Sequence, residues 1–175
     1  KPSFELQNIH APLENVLHLL QQDLSESGID LIKDYDPSIP EISIDIYLLE
    51  QSVLNLVKNA KESLEEGEVF SPEIRIVTRV LRQEFLGQTQ HKTVCSISVR
   101  DNGPGIPKDL KDSIFFPMIS SKATGSGLGL SITQGIISQH NGIIKCESEP
   151  GKTEFSILIP IKHQVHDQEL RRANA

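Results

Sequence analysis

The chain has 175 residues, a hydrophobic fraction of 37% and a net charge of −7 at pH 7. This length fits one domain with a core that needs no disulfides or metals, and the acidic balance argues against nucleic acid as the main partner. No apolar run is long enough to span a membrane and no signal-peptide pattern is visible, so we expect a cytoplasmic domain. We place the domain at residues 1–162 and a polar C-terminal tail at 163–175.

The first half of the chain predicts two strands and two helices. Residues 4–9 indicate a short strand, and the apolar spacing over 12–24 indicates a helix. Residues 30–35 alternate in polarity, as in a second strand. Asp45 suits the N-cap of a helix over 46–64, in which apolar residues form one stripe.

The second half predicts four strands and one long helix. Strands are expected at 74–81 and 94–100, joined by a long polar hairpin, and at 143–147 and 154–159. A helix is expected over 126–140, because its apolar residues repeat at helical spacing. The two cysteines lie in apolar, strand-like segments and are expected to be buried free thiols: Cys95 and Cys146.

Two asparagines mark one face of the second helix. Asn55 and Asn59 are four residues apart, so they share a face that lies beside the apolar stripe. Both amides should therefore face a cleft at the edge of the core, although they could also be ordinary surface asparagines. An amide oxygen suits Mg²⁺, which makes Asn59 our candidate metal ligand.

Asp101 ends an apolar strand face, where a buried carboxylate needs a partner. The exocyclic amine of adenine is a suitable donor, whereas guanine would present a second acceptor. The alternative is an aspartate that caps the turn over 102–105. Gly103 and Gly105 would let the backbone turn and approach a flat ligand.

A glycine series leads into the last helix at Gly125, Gly127 and Gly129. A helix start gathers unpaired N–H groups and the positive end of the helix dipole, which favours phosphates. The spacing matches neither a Walker loop nor the Rossmann fingerprint, and a plain flexible hinge is the alternative.

These segments, in this order, resemble the conserved boxes of sensor histidine kinases. The matching segments are the asparagine box at 45–60, the first glycine box at 101–107, the phenylalanine box at 115–118, the second glycine box at 125–130 and a terminal Gly-Thr-Phe element at 150–155. Details at 34–40 and 116–118 most resemble the NtrB-type nitrogen-regulation kinases.

The resemblance implies the Bergerat ATP-binding fold, which is also found in gyrase and in mismatch-repair ATPases. This fold is a two-layer α/β sandwich with helices on one face of a mixed, mostly antiparallel sheet, and with a mobile lid at about 119–124. It also implies Mg²⁺ and ATP as ligands, with Asn55 and Asn59 facing the phosphates and the metal. The implied nucleotide-binding residues are Asn55, Asn59, Asp101, Gly103, Gly105, Ile106, Lys122, Thr124, Gly125, Ser126, Gly127, Leu128, Gly129 and Thr153.

The sequence departs from the family pattern three and four places after the second asparagine. Many members carry a basic and then an aromatic residue there, whereas this chain carries Glu62 and Ser63. The phosphate charge must then be met elsewhere, with Lys61 and Lys122 as candidates. Adenine would stack on apolar residues instead of an aromatic ring.

By resemblance, the chain is the catalytic domain of a protein histidine kinase, which transfers the γ-phosphoryl group to a histidine on a separate dimerisation domain. Implied partners include a response regulator, NtrC-like if the NtrB resemblance holds, and a PII-type signal protein as a further candidate. Two alternatives remain: an ATPase of the same fold that drives a conformational change, and a nucleotide-sensing module without chemistry.

The six histidines of the chain include no expected phosphoacceptor. His10 lacks the acidic neighbour of a phosphoacceptor and suits the start of a helix in the nucleotide domain. His140 lies at a helix end, where a partly charged imidazole would suit the dipole.

Overall fold

A computed structural model describes residues 1–116 and 129–162 of the chain. Seven strands, three α-helices and one short 3₁₀ turn are present in this part. In chain order they are β1 Glu5–Gln7, α1 His10–Glu26, β2 Asp30–Asp34, β3 Ile42–Ile44, α2 Ile46–Glu66, β4 Glu73–Leu86, β5 Thr89–Asp101, the 3₁₀ turn Lys111–Ser113, α3 Gly129–Gln139, β6 Ile143–Glu149 and β7 Lys152–Pro160.

Five of the strands form one mixed sheet in the order β2-β4-β5-β7-β6. Strand β2 is parallel to β4, and the other neighbouring pairs are antiparallel. Strands β1 and β3 form a separate antiparallel pair. The expected mixed, mostly antiparallel sheet is therefore confirmed.

The helices bury their apolar faces against one face of this sheet. Alternate residues of the central strands point toward the helices, because successive side chains of a strand point to opposite faces. One core cluster contains residues of all three helices and of the central strands, among them Leu13, Leu49, Val53, Ile76, Ile97, Ile137 and Ile157. The two-layer arrangement is as expected.

Within the described ranges, no helix is long and apolar enough to cross a membrane.

Helix α2 begins as the sequence predicts. Asp45 is its N-cap, and one carboxylate oxygen accepts the backbone N–H of Leu48 at 3.1 Å. The other oxygen accepts the N–H of Ser3 at 2.8 Å, and this bond does most to hold the pKa of Asp45 below its usual value. The contribution of Asp45 to stability is therefore present at neutral pH and is lost in acid, as the pH falls through the lowered folded-state pKa.

The structure corrects several boundaries. Helix α1 begins at His10, and the polar residues 82–93 continue both hairpin strands almost to the tip at Gly87. Strand β3 was not expected. Cys95 is buried, and burial raises its pKa to about 12. Cys146, expected to be buried, is only half-buried on the edge strand β6, where burial still raises its pKa to about 11.

Candidate nucleotide-binding site

The floor of the candidate site is the carboxyl end of the central strand β5. Asp101 is only 5% exposed there, and its Oδ1 accepts the backbone N–H of Gly103 at 2.9 Å. The turn-capping role of Asp101 is therefore real, and it is compatible with base recognition because a carboxylate can accept several hydrogen bonds. A Cβ added at Gly103 would lie 2.7 Å from that Oδ1 and 3.0 Å from Oγ of Ser63. Glycine at position 103 thus keeps the carboxylate in place.

A chain of hydroxyl groups supports this floor. Thr153 on β7 lies directly opposite Asp101 in the sheet. Its hydroxyl bonds to that of Ser148 at 2.8 Å, and Ser148 Oγ accepts the N–H of Ile106 at 2.8 Å. The structure therefore brings the predicted residues Thr153 and Ile106 together through Ser148, which the sequence did not single out. Its only signal in the sequence was a hydroxyl two residues after Cys146, on the same strand face.

The loop after Asp101 also depends on Gly105. Its φ is +87°, a conformation that side chains rarely adopt, and a Cβ there would lie 2.8 Å from the carbonyl oxygen of Glu149. The N–H of Gly151 donates to the carbonyl of Gly103 at 2.9 Å. The loop is therefore fastened to the β6–β7 turn.

One wall of the site is the face of α2 that carries the two asparagines. Asn55 and Asn59 are both half-buried, as expected for residues at the edge of the core. Ser63 follows one turn later and lies beside Gly103, so this face extends from the floor toward the start of α3. With a rise of 1.5 Å per residue, Asn55 and Ser63 are separated by about 12 Å along the helix.

The start of α3 meets this wall at Asn55. The side-chain nitrogen of Asn55 lies 3.4 Å from the carbonyl oxygen of Gly129 and 3.3 Å from the hydroxyl of Thr133. A Cβ at Gly129 would lie 3.9 Å from Asn55, which is ordinary van der Waals contact. Packing among the described residues therefore does not require glycine at position 129.

The small side chain of Ser63 borders a cleft of about 520 Å³ beside the first glycine loop. Pro104, Ile106, Lys108 and Lys111 also line it. The ammonium of Lys111 donates to the carbonyl of Ser148 at 2.6 Å. These two lysines place positive charge near the base end of the site, and the sequence did not predict them.

Of the two lysines proposed for the phosphates, only Lys61 lies in the described part of the chain. Its ammonium forms an ion pair with Glu65 at 2.8 Å, which raises the pKa of Lys61. A phosphate bound by Lys61 would therefore compete with Glu65 for its ammonium group. The other predicted residues of the phosphate end lie outside the described residues, as does the expected lid at 119–124: Lys122, Thr124, Gly125, Ser126, Gly127 and Leu128.

Far from the floor, His140 joins three segments. Its Nε2 accepts the backbone N–H of Asp45 at 3.1 Å, and its Nδ1 lies 2.9 Å from the carbonyl oxygen of Ile136. With Nε2 as the acceptor, Nδ1 is the ring nitrogen that donates to the carbonyl of Ile136. His140 directly follows the last residue of α3, at the predicted helix end, and its ring is buried. The ring of Phe4 packs edge-on against it at 4.9 Å.

The chain is similar to known proteins of one family. A family model described as histidine kinase-, DNA gyrase B-, and HSP90-like ATPase matches residues 44–163. The sensory histidine kinase/phosphatase NtrB of Vibrio alginolyticus is 44% identical over 162 residues, which are 92% of this chain and 45% of that protein. NtrB of Rhizobium leguminosarum bv. phaseoli is 37% identical over 161 residues, 87% of this chain and 40% of that protein. The chain thus spans less than half the length of these relatives.

Solved structures of a histidine kinase have the same fold as this chain. The nucleotide-free catalytic domain of the histidine kinase ThkA superposes with a TM-score of 0.74 at 28% identity, covering 91% of this chain and 96% of that one. ThkA in complex with the response regulator protein TrrA superposes with a TM-score of 0.69 at 26% identity, covering 91% and 42%. The chain therefore belongs to the histidine kinase-, DNA gyrase B- and HSP90-like ATPase family, within which its relatives are sensor histidine kinases of the NtrB type.

Proposed function

We propose that this chain binds Mg·ATP and presents the γ-phosphoryl group to a histidine on a separate dimerisation domain. The observation that carries the proposal is the placement of a buried carboxylate, Asp101, beside the helix that carries Asn55 and Asn59. One end of this cleft suits a base and the other a polyphosphate.

Asp101 would select adenine. Its carboxylate can accept the exocyclic amine of adenine, whereas the carbonyl of guanine would place two acceptors against each other. Thr153 lies opposite Asp101 in the sheet, and its hydroxyl, which bonds to that of Ser148, would support the carboxylate. Ile106 offers an apolar surface beside the loop for stacking.

The phosphate end would be arranged by the two asparagines, with Asn59 as a metal ligand. The amide oxygens fit Mg²⁺, which prefers oxygen ligands and keeps several of its waters. When bound, the ion would neutralise charge on the phosphates. The protein would contribute mainly positioning, since phosphoryl transfer needs few covalent steps from side chains.

The identity of residue 55 favours transfer over hydrolysis. In ATPases of the same fold, the place of Asn55 is held by a glutamate, which can accept a proton from water. An amide cannot accept that proton, so an ATPase role is the weaker candidate.

The wider role is proposed on the same basis. We infer that the chain acts in the cytoplasm with the dimerisation domain of its own kinase and with a response regulator. An NtrC-like regulator and a PII-type signal protein would follow from the likeness to NtrB. We do not assign His10 as the phosphoacceptor, because its side chain is already engaged. Its ring centroid lies 4.5 Å from that of Tyr35, and its Nε2 lies 2.8 Å from the hydroxyl oxygen of Thr78.

Phosphoryl transfer in trans tests the function. With radiolabelled ATP, the chain alone should show no acid-labile label, and label should appear on the dimerisation domain of the same kinase when that domain is added. Transfer should be slow, because the effective concentration supplied by a covalent link is absent. Label on this chain that is lost with His10→Gln would overturn the assignment, and steady ATP hydrolysis without transfer would favour the ATPase.

Replacing Asn59 tests the metal. Asn59→Ala should remove the gain in ATP affinity that Mg²⁺ provides, because one oxygen ligand is lost. Adenosine binding should be nearly unchanged, since the base end is separate. Calorimetry with and without Mg²⁺ measures both. A parallel loss of adenosine and ATP binding would show that Asn59 has a structural role instead.

A further inference from the structure

Near the start of α3, the buried hydroxyl group of Thr133 contacts both its own helix and the cleft wall formed by α2. Thr133 is completely buried. Its hydroxyl donates to the carbonyl of Gly129 at 2.8 Å and lies 3.3 Å from the side-chain nitrogen of Asn55. That nitrogen also lies 3.4 Å from the same carbonyl. The three groups form a closed triangle of hydrogen bonds.

This triangle fixes which way the amide of Asn55 points. The carbonyl of Gly129 can only accept a hydrogen bond. The hydroxyl of Thr133 has used its one proton on that carbonyl, so toward Asn55 it can also only accept. Both neighbours therefore require the NH₂ group of Asn55, and its oxygen Oδ1 must point away from α3.

We infer that Thr133 is a positioning residue, which holds Asn55 so that its amide oxygen is presented to the metal ion of bound Mg·ATP. This inference rests on the proposed function. An oxygen turned to the ligand suits a cation, because phosphate oxygens are acceptors themselves and would face it unfavourably. If the amide were rotated by half a turn, its NH₂ group would face the ligand, and the oxygen would no longer be available to the metal ion.

The orientation should depend on the hydroxyl and not on the bulk of the side chain. Thr133→Val keeps a branched side chain of similar size and removes the oxygen, so the amide loses one of its two acceptors. Thr133→Ser keeps the hydroxyl. Thr78 is the matched control: it is also completely buried, and its hydroxyl bonds to His10 and to the N–H of Asp36, so Thr78→Val removes a hydroxyl outside the cleft.

The first measurement is the affinity of the chain for ATP at increasing Mg²⁺, by calorimetry. Thr133→Val should reduce the gain from Mg²⁺ by about two- to tenfold, the range expected for one net hydrogen bond, with adenosine affinity unchanged. In Thr133→Ser and Thr78→Val, Mg²⁺ should increase the ATP affinity as much as in the wild type. An undiminished effect of Mg²⁺ on the ATP affinity of Thr133→Val, or a parallel loss of its adenosine binding, would overturn the inference.

The second measurement needs no nucleotide. In the free chain, the side-chain NH₂ protons of Asn55 should exchange with water faster in Thr133→Val than in wild type or Thr133→Ser, as seen by NMR. Unchanged exchange would refute the positioning role. If wild-type chain failed to bind ATP, the proposed function would fall, while this exchange experiment would still decide whether Thr133 orients Asn55.

Discussion

Asp101→Asn is expected to weaken ATP binding by about ten- to a hundredfold, or about 1–3 kcal/mol, because it disturbs a buried hydrogen-bonding group. The asparagine oxygen can still accept the N–H of Gly103, so the turn should persist. The new NH₂ group, however, would meet the amine of adenine as donor against donor. Calorimetry with ATP gives the affinity, and urea unfolding gives the stability.

The companion measurement compares nucleotides. Wild-type chain should prefer ATP to GTP, and Asp101→Asn should narrow that preference, since an amide can donate to the carbonyl of guanine. Equal affinity of the wild-type chain for ATP and GTP would refute the role of Asp101. A large loss of stability in Asp101→Asn would instead indicate a mainly structural carboxylate.

Gly105→Ala is expected to destabilise the fold by about 2–4 kcal/mol, the sum of left-handed backbone strain and steric displacement. The new Cβ would press on the backbone of Glu149, which cannot move without disturbing the β6–β7 turn. Gly151→Ala is the matched control. Gly151 has nearly the same φ, +89° against +87°, but an added Cβ would meet no atom within 4 Å.

The control should therefore cost only the strain, about 1–2 kcal/mol. Free energies of unfolding in urea for the two variants separate these contributions. In Gly105→Ala, ATP binding should also weaken, because the loop that carries Ile106 is displaced. Equal destabilisation by both substitutions would show that contact between this loop and the β6–β7 turn is unimportant.

Features set by nearby residues were predictable from the sequence. The cap at Asp45 depends on a residue three places along the chain, and the apolar stripe of α2 depends on helical spacing alone. The turn glycines at 103 and 105 were recognised for the same reason. Because the signals within each box lie within a few residues of one another, the ordered boxes predicted the fold and gave a candidate floor for the site.

Features set by distant partners were not predictable. Ser148 acquires its role from Ile106, 42 positions away, and Thr133 from Asn55, 78 positions away. Strand β3 has only three residues, too few for alternation to show, and it exists because β1 pairs with it. The hydrogen bond that His140 accepts likewise comes from Asp45, 95 positions away in the sequence.

The junction at His140 has a mechanical consequence for the cleft. There, the end of α3 is attached to the start of α2, and the bond from Ser3 to Asp45 attaches the incoming chain to the same point. A second attachment joins the two helices at Asn55 and the start of α3. With a single attachment, α3 could rotate relative to α2 about that point. Two attachments about 15 Å apart along α2 prevent this rotation. A force applied to the chain at Ser3 would therefore act on α2 and α3 together, and the two helices would move as one rigid unit.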